Sequence, residues 1–134
     1  MTQRVTGALQ NLCVASAVIT PRTARGDWAV IRKILTIPDD AMLVWGKLHV
    51  ITAFDDSSTL TIDIGEDVDE DQFTATPIDL KTEAITDLTD CAFVMFGVQG
   101  EVRVTFAAAG ADAEIGKAVI YMAYVRPDKA DGVG

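Results

Sequence analysis

Leu60, Ile62 and Ile64 alternate with Thr59, Thr61 and Asp63. An α-helix cannot put every second residue on one face, so this pattern commits the stretch to a half-buried β-strand. The same period recurs along the chain. Val102, Val104 and Phe106 alternate with Glu101, Arg103 and Thr105. In Met42 to Phe54 the even positions Met42, Val44, Gly46, Leu48, Val50, Thr52 and Phe54 form an apolar face, and Trp45, Lys47 and His49 a mixed one. Cys91 to Val98 and Ala118 to Val125 are apolar on both faces, as expected of strands covered on two sides. Asp27 to Ile37 is a further β-rich run, ended by Pro38. Turn chemistry falls between the runs: "PDDA" from Pro38, "DDSS" from Asp55, "GEDVDED" from Gly65, "VQGE" from Val98 and "AAGADAEIGK" before the last run. Pro77 opens a short segment around Ile78 and Leu80, and the following "KTEAITDLTD" suits a loop. Many short strands separated by turns predict an all-β sandwich or barrel.

The chain has 134 residues, which suits one domain, and 49% of them are hydrophobic, enough for a core without staples. Residues 27–126 form the expected sandwich and 127–134 a frayed polar tail. Residues 1–26 are either an N-terminal arm or a first strand: a β-prone piece, Leu12 to Thr20, is followed by "PRTARGD". Ala15-Ser16-Ala17 resembles an export cleavage site, but Gln10 and Asn11 split the apolar stretch before it, so a protein made in the cytoplasm is expected. No apolar run approaches the length that spans a bilayer, so no membrane partner is expected.

Net charge −9 and a pI near 4.3 argue against nucleic acid, which needs clustered Lys and Arg to displace counterions. Cys13 and Cys91 lack metal-ligand spacing, and His49 is the single histidine, so a zinc site is not expected. Two buried thiols are the reading, with one disulfide as the alternative. His49 sits mid-strand on a mixed face and reads as a surface or interface residue. No nucleophile elbow or phosphate-cradling glycine loop occurs. The expectation is no enzyme, no catalytic residue and no cofactor.

The acidic run Asp67-Val68-Asp69-Glu70-Asp71 invites a calcium reading. Asp67, Asp69 and Asp71 fit the first three ligand positions of an EF-hand loop, but Gln72 stands where glycine belongs and Ile78 where the bidentate Glu belongs. A solvated turn with no metal is expected, an irregular calcium site being the alternative. "RGD" at Arg25 to Asp27 has no supporting context for integrin binding.

One succession goes further: "IPDDAMLVWGKLHVITAF", a turn, "STLTIDIGEDVDEDQF", a variable middle, then "GEVRVTFAAAGADAEIGKAVIYMAYV". It resembles small structural proteins of tailed bacteriophages, the capsid decoration (cement) proteins and related head and tail accessories, over residues 28 to 126. The resemblance implies an antiparallel β-sandwich of jelly-roll type, here with an extended N-terminal arm, and a homotrimer. A closed oligomer would also cover the surplus apolar faces of Phe93–Val98 and Ala118–Val125. The implied partner is the major capsid protein and the implied location the capsid surface of the virion. Phe73 would tuck under the sandwich as an apolar plug, and Gly65 would leave its strand with unusual dihedrals. Arg4, Arg22 and Arg25 make the first 26 residues locally basic, and are the expected capsid-attachment residues. A phage tail or fibre component recognising a host-surface glycan is the alternative function.

Overall fold

Period-two alternation becomes pairing in the computed structural model, which describes residues 12–21, 32–38, 41–55, 57–66, 69, 71–89, 91, 100–110 and 113–125. Eight strands are present among them: β1 Cys13–Ile19, β2 Arg32–Ile37, β3 Met42–Thr52, β4 Ser57–Gly65, β5 Ile78–Asp79, β6 Ala84–Asp87, β7 Gly100–Gly110 and β8 Lys117–Val125. They form two four-stranded sheets, a front sheet ordered β1-β8-β3-β6 and a back sheet ordered β2-β7-β4-β5. Every pair is antiparallel, and the partners are nested: first with last, second with seventh, third with sixth, fourth with fifth. The β3–β8 and β4–β7 pairs join the nest into sheets. A long folded ribbon rolled into two facing sheets is the jelly roll, so the chain is an antiparallel β-sandwich of that type.

The core lies between the sheets. Leu43, Leu48, Val50, Ile120 and Met122 point inward from the front sheet, and Leu60, Ile62, Ile64, Val102, Val104 and Phe106 from the back sheet. Each such side chain contributes about 1.5–3 kcal/mol on leaving water. The ladder Ile62↔Phe106 and Ile64↔Val104 is the alternation of the opening motif turned into cross-strand packing. The ends of the sandwich are closed by loop side chains: Phe54 at 2% exposure, Phe73 at 0% and Leu80 at 0%. Phe73 is the expected plug. Its amide donates to Ile64 O at 2.9 Å, and its carbonyl accepts from the Thr89 amide at 2.8 Å.

Four expectations are corrected. Bulges between Leu43 and Trp45 and between Val50 and Thr52 break the alternation of β3, so Leu43, not Met42 or Val44, faces the core. Ala84–Asp87, expected in a loop, is an edge strand: Lys47↔Asp87 and His49↔Ile85 are paired positions. Gly65 is ordinary strand; among the described glycines only Gly116 has positive φ, at 153°. Cys13 is exposed and Cys91 buried, and the two form no disulfide. The segment expected as arm or first strand contributes strand β1, which matches seven positions of β8 from Cys13↔Tyr124 to Ile19↔Ala118. No helix among the described residues is long and apolar enough to cross a membrane, a statement that does not bear on β-barrels.

Candidate interaction surface

The two sheets turn different chemistry outward. On the back sheet Thr36 stands opposite Glu101, Asp63 opposite Thr105, and Asp79 and Ala107 flank Thr61. Arg103 and Glu101 form an ion pair there at 2.7 Å. This face is threonine and charge.

The front sheet is apolar and aromatic. Register sets three rows across it: Val18, Val119, His49 and Ile85; then Ser16, Tyr121, Lys47 and Asp87; then Val14, Ala123 and Trp45. Val14 and Val18 are each 51% exposed and Ile85 63%. Leu12, just ahead of β1, and Ile51, beside the second bulge of β3, extend the patch. Among the described residues, five of the six exposed large hydrophobics belong to this sheet or its margin; the sixth, Ile115, is in the β7–β8 loop. Isolated exposed apolar residues need no account, but a contiguous set on one face marks a contact surface.

Charge on the front face is sparse. Lys47 pairs with Asp87 across β3 and β6, and its ammonium lies 5.9 Å from the Trp45 ring centroid. Trp45, Lys47, Asp87, Leu88 and Cys91 line an open cavity of about 450 Å³. Gly46 forms its floor: a Cβ there would meet Met122 Sδ at 2.9 Å and Cys91 Sγ at 3.0 Å, so a side chain is excluded where these pack. The set offers apolar contact and one ion pair. His49 stands outward between Val119 and Ile85, as a surface or interface residue does.

Arg4, Arg22, Arg25 and Asp67 lie outside the described residues. Asp69 and Asp71 are exposed. The Asp71 carboxyl is held above its ordinary value by its hydrogen bond to the Asp69 carboxyl and by the charge of that neighbour. Among the described residues no three His, Cys, Asp or Glu side chains converge as metal ligands. A more ordered carboxylate is Asp55. Its Oδ1 accepts from the Glu114 and Ile115 amides at 2.8 Å each, and its own amide donates to Ile115 O at 3.1 Å. Those backbone donors hold the Asp55 carboxyl below its ordinary value. The clamp ties the β3–β4 and β7–β8 loops together. Sequence reasoning missed it because an Asp in "DDSS" looks like any turn residue.

The front-face patch was also missed, although its signal is present: Leu12, Val14 and Val18 share one parity and Ala15, Ala17 and Ile19 the other. Apolar residues of both parities mark a strand covered on two sides, whereas here only one side meets the core.

No family profile and no curated protein matches the sequence. Solved structures do match. A chain of the cyanophage Pam1 capsid asymmetric unit superposes with a TM-score of 0.66 at 14% identity, covering 87% of this chain and 85% of that one. A chain of the acid-stable capsid of Helicobacter pylori bacteriophage KHP30 gives 0.63 at 15% identity, covering 87% and 88%. A chain of the Ralstonia phage GP4 capsid gives 0.65 at 18% identity, covering 87% and 84%. At these identities the likeness is one of fold: this chain is built on a sandwich that recurs, almost coextensively, in the capsid structures of three phages.

Proposed function

We propose that this chain is a structural virion protein that binds the outside of a phage capsid and stabilises it by bridging capsid subunits. The supporting observation is the near-coextensive likeness to chains of three phage capsid structures. Each match covers most of both chains, so chains of about this size and fold occur in those capsid structures. A small sandwich suits an accessory that sits on a shell. The net charge of −9 opposes close contact with packaged nucleic acid and favours the outer surface. The partner is the major capsid protein, and the protein acts as a homotrimer, so that several modest contacts add through effective concentration. Arg4, Arg22 and Arg25 in the first 26 residues assist attachment. The role needs no enzymatic activity and no cofactor.

The experiment is reconstitution. Shells assembled from the shell protein of the same genome, without this chain, are titrated with the purified protein and then heated or stressed with chelator. Saturable binding that raises shell resistance is expected. A protein that neither binds nor protects such shells, but binds on a glycan array, belongs instead to a tail or fibre.

A further inference from the structure

The front and back faces differ in a way that selects one of them for docking. Resting on the function proposed above, we infer that the outer face of the front sheet is the surface that lies against the capsid shell, and that the threonine-rich back face looks outward. Three observations lead there. The first is the apolar concentration on β1, β3, β6 and β8, where Val14, Val18 and Ile85 are each more than half exposed. A solvent-facing strand face normally alternates to polar, as the back sheet does with Thr36, Thr59 and Thr61.

The second is charge. The chain carries −9 overall, yet the described charged residues on this face and its margin are Lys47, Lys117, Asp87 and Glu83, with His49 beside them. Asp87 is engaged by Lys47. The face is therefore close to neutral on an acidic protein. It suits an apolar protein surface of low charge.

The third is size. Four strands about 4.8 Å apart, over a seven-residue β1 rising about 3.4 Å per residue, give a face of roughly 450 Å². That falls short of the ~800 Å² per partner that a stable two-body complex buries. Such a patch is too small for a lone tight dimer. It is sufficient on a shell, where linked copies engage repeated sites together. The shell partner is thus an apolar protein surface repeated across the lattice.

The test uses the full-length protein and the undecorated shells described above. Val18→Glu and Ile85→Glu put charge into the patch at positions already exposed, and Lys117→Glu inverts its flank. Thr36→Glu and Thr59→Glu do the same on the back face. Circular dichroism establishes that each variant folds, analytical ultracentrifugation gives its oligomeric state, and co-sedimentation with shells gives affinity. Front-face variants are expected to bind at least tenfold more weakly with unchanged fold and oligomeric state, while back-face variants bind like wild type. Equal binding by all variants overturns this inference and leaves the capsid reading standing. Front-face variants that change oligomeric state but still bind shells also overturn it, because the face is then a contact between copies. If wild type itself fails to bind the shells, the capsid reading falls and this inference with it.

Discussion

Replacing Gly116 by alanine tests whether the loops at one end of the sandwich are as tightly coupled as their geometry states. Gly116 precedes β8 with φ of 153°, and a Cβ built on it would lie 2.4 Å from Cγ of Phe54 and 2.7 Å from both Cδ atoms. The ring cannot swing away, because Phe54 is 2% exposed and its amide is tied to Leu80 O at 3.0 Å. The glycine backbone cannot retreat either. Just upstream, Glu114 and Ile115 are fastened to Asp55 by three hydrogen bonds of 2.8–3.1 Å. Two penalties follow. A side chain at this φ costs about 1–3 kcal/mol in backbone strain. Forcing an extra methyl into a filled core costs about 1–3 kcal/mol more. The sum, roughly 2–6 kcal/mol, is a large share of the ~5–15 kcal/mol that holds a domain folded. For a domain of this size, where 1 kcal/mol moves Tm by roughly 4 °C, the melt should fall by about 8–24 °C. Far-UV circular dichroism melts of G116A against wild type measure it. Adding Phe54→Leu opens space at the ring, so the double variant should be more stable than the summed single effects by over ~1 kcal/mol. A melt within about 2 °C of wild type would refute the reasoning.

Starting the chain near Asp27 removes β1, strips β8 of seven partners and uncovers Ile19's fully buried site, so this truncation should not fold cooperatively. Starting at Leu12 keeps β1 and removes Arg4, so binding to shells should lose whatever Arg4 adds, read by co-sedimentation. Phe73→Ala removes a fully buried ring and should cost about 3–5 kcal/mol, read from urea denaturation. Melts of wild type in excess EDTA and in calcium should coincide; a rise of many degrees with calcium would establish a site in the acidic run. Two aspartates should act oppositely with pH. Asp55, lowered by its backbone donors, adds stability above its unfolded value near 3.8 that is lost as pH falls through its folded value. Asp55→Asn should therefore flatten the acid limb of a stability–pH profile. Asp71, raised by Asp69, has the reverse sign: its contribution is present at low pH and lost as pH rises through its folded value, so Asp71→Asn should not destabilise at neutral pH.

How much of this could be read from the residues depends on what each signal encodes. Alternation encodes faces. Leu60, Ile62 and Ile64 were assigned to the core because nothing interrupts their period, and all three are fully buried. In β3 the same logic held from Gly46 to Val50 and slipped at Leu43, because a bulge adds one residue and leaves no mark in composition. Ala84–Asp87 is too short to show a period, and its Thr and Asp neighbours look like loop. Ala118–Val125, apolar on both faces, suggested surplus apolar surface for a closed oligomer to cover. In the fold β8 is a central strand, and its outward Val119 and Ala123 lie between β1 and β3 at 7% and 0% exposure. Asp55 and Gly116 acquire meaning only when two distant loops meet, so their importance is tertiary and invisible to any window.

Pairing partners are the deeper gap, and they decide what the first residues do. Alternation is a property of one strand, whereas a ladder is a property of two, and here the partners of β1 and β8 lie at opposite ends of the chain. Nesting makes this unavoidable: if the fourth strand pairs with the fifth and the third with the sixth, the first is left for the last. The N-terminal strand therefore completes the front sheet, and it also carries Val14 and Val18, which supply much of that sheet's exposed apolar surface. One segment both closes the fold and dresses its outer face. For that reason a deletion cannot separate the two roles, and single outward substitutions such as Val18→Glu can: they leave the backbone ladder to β8 intact and change only what the face presents.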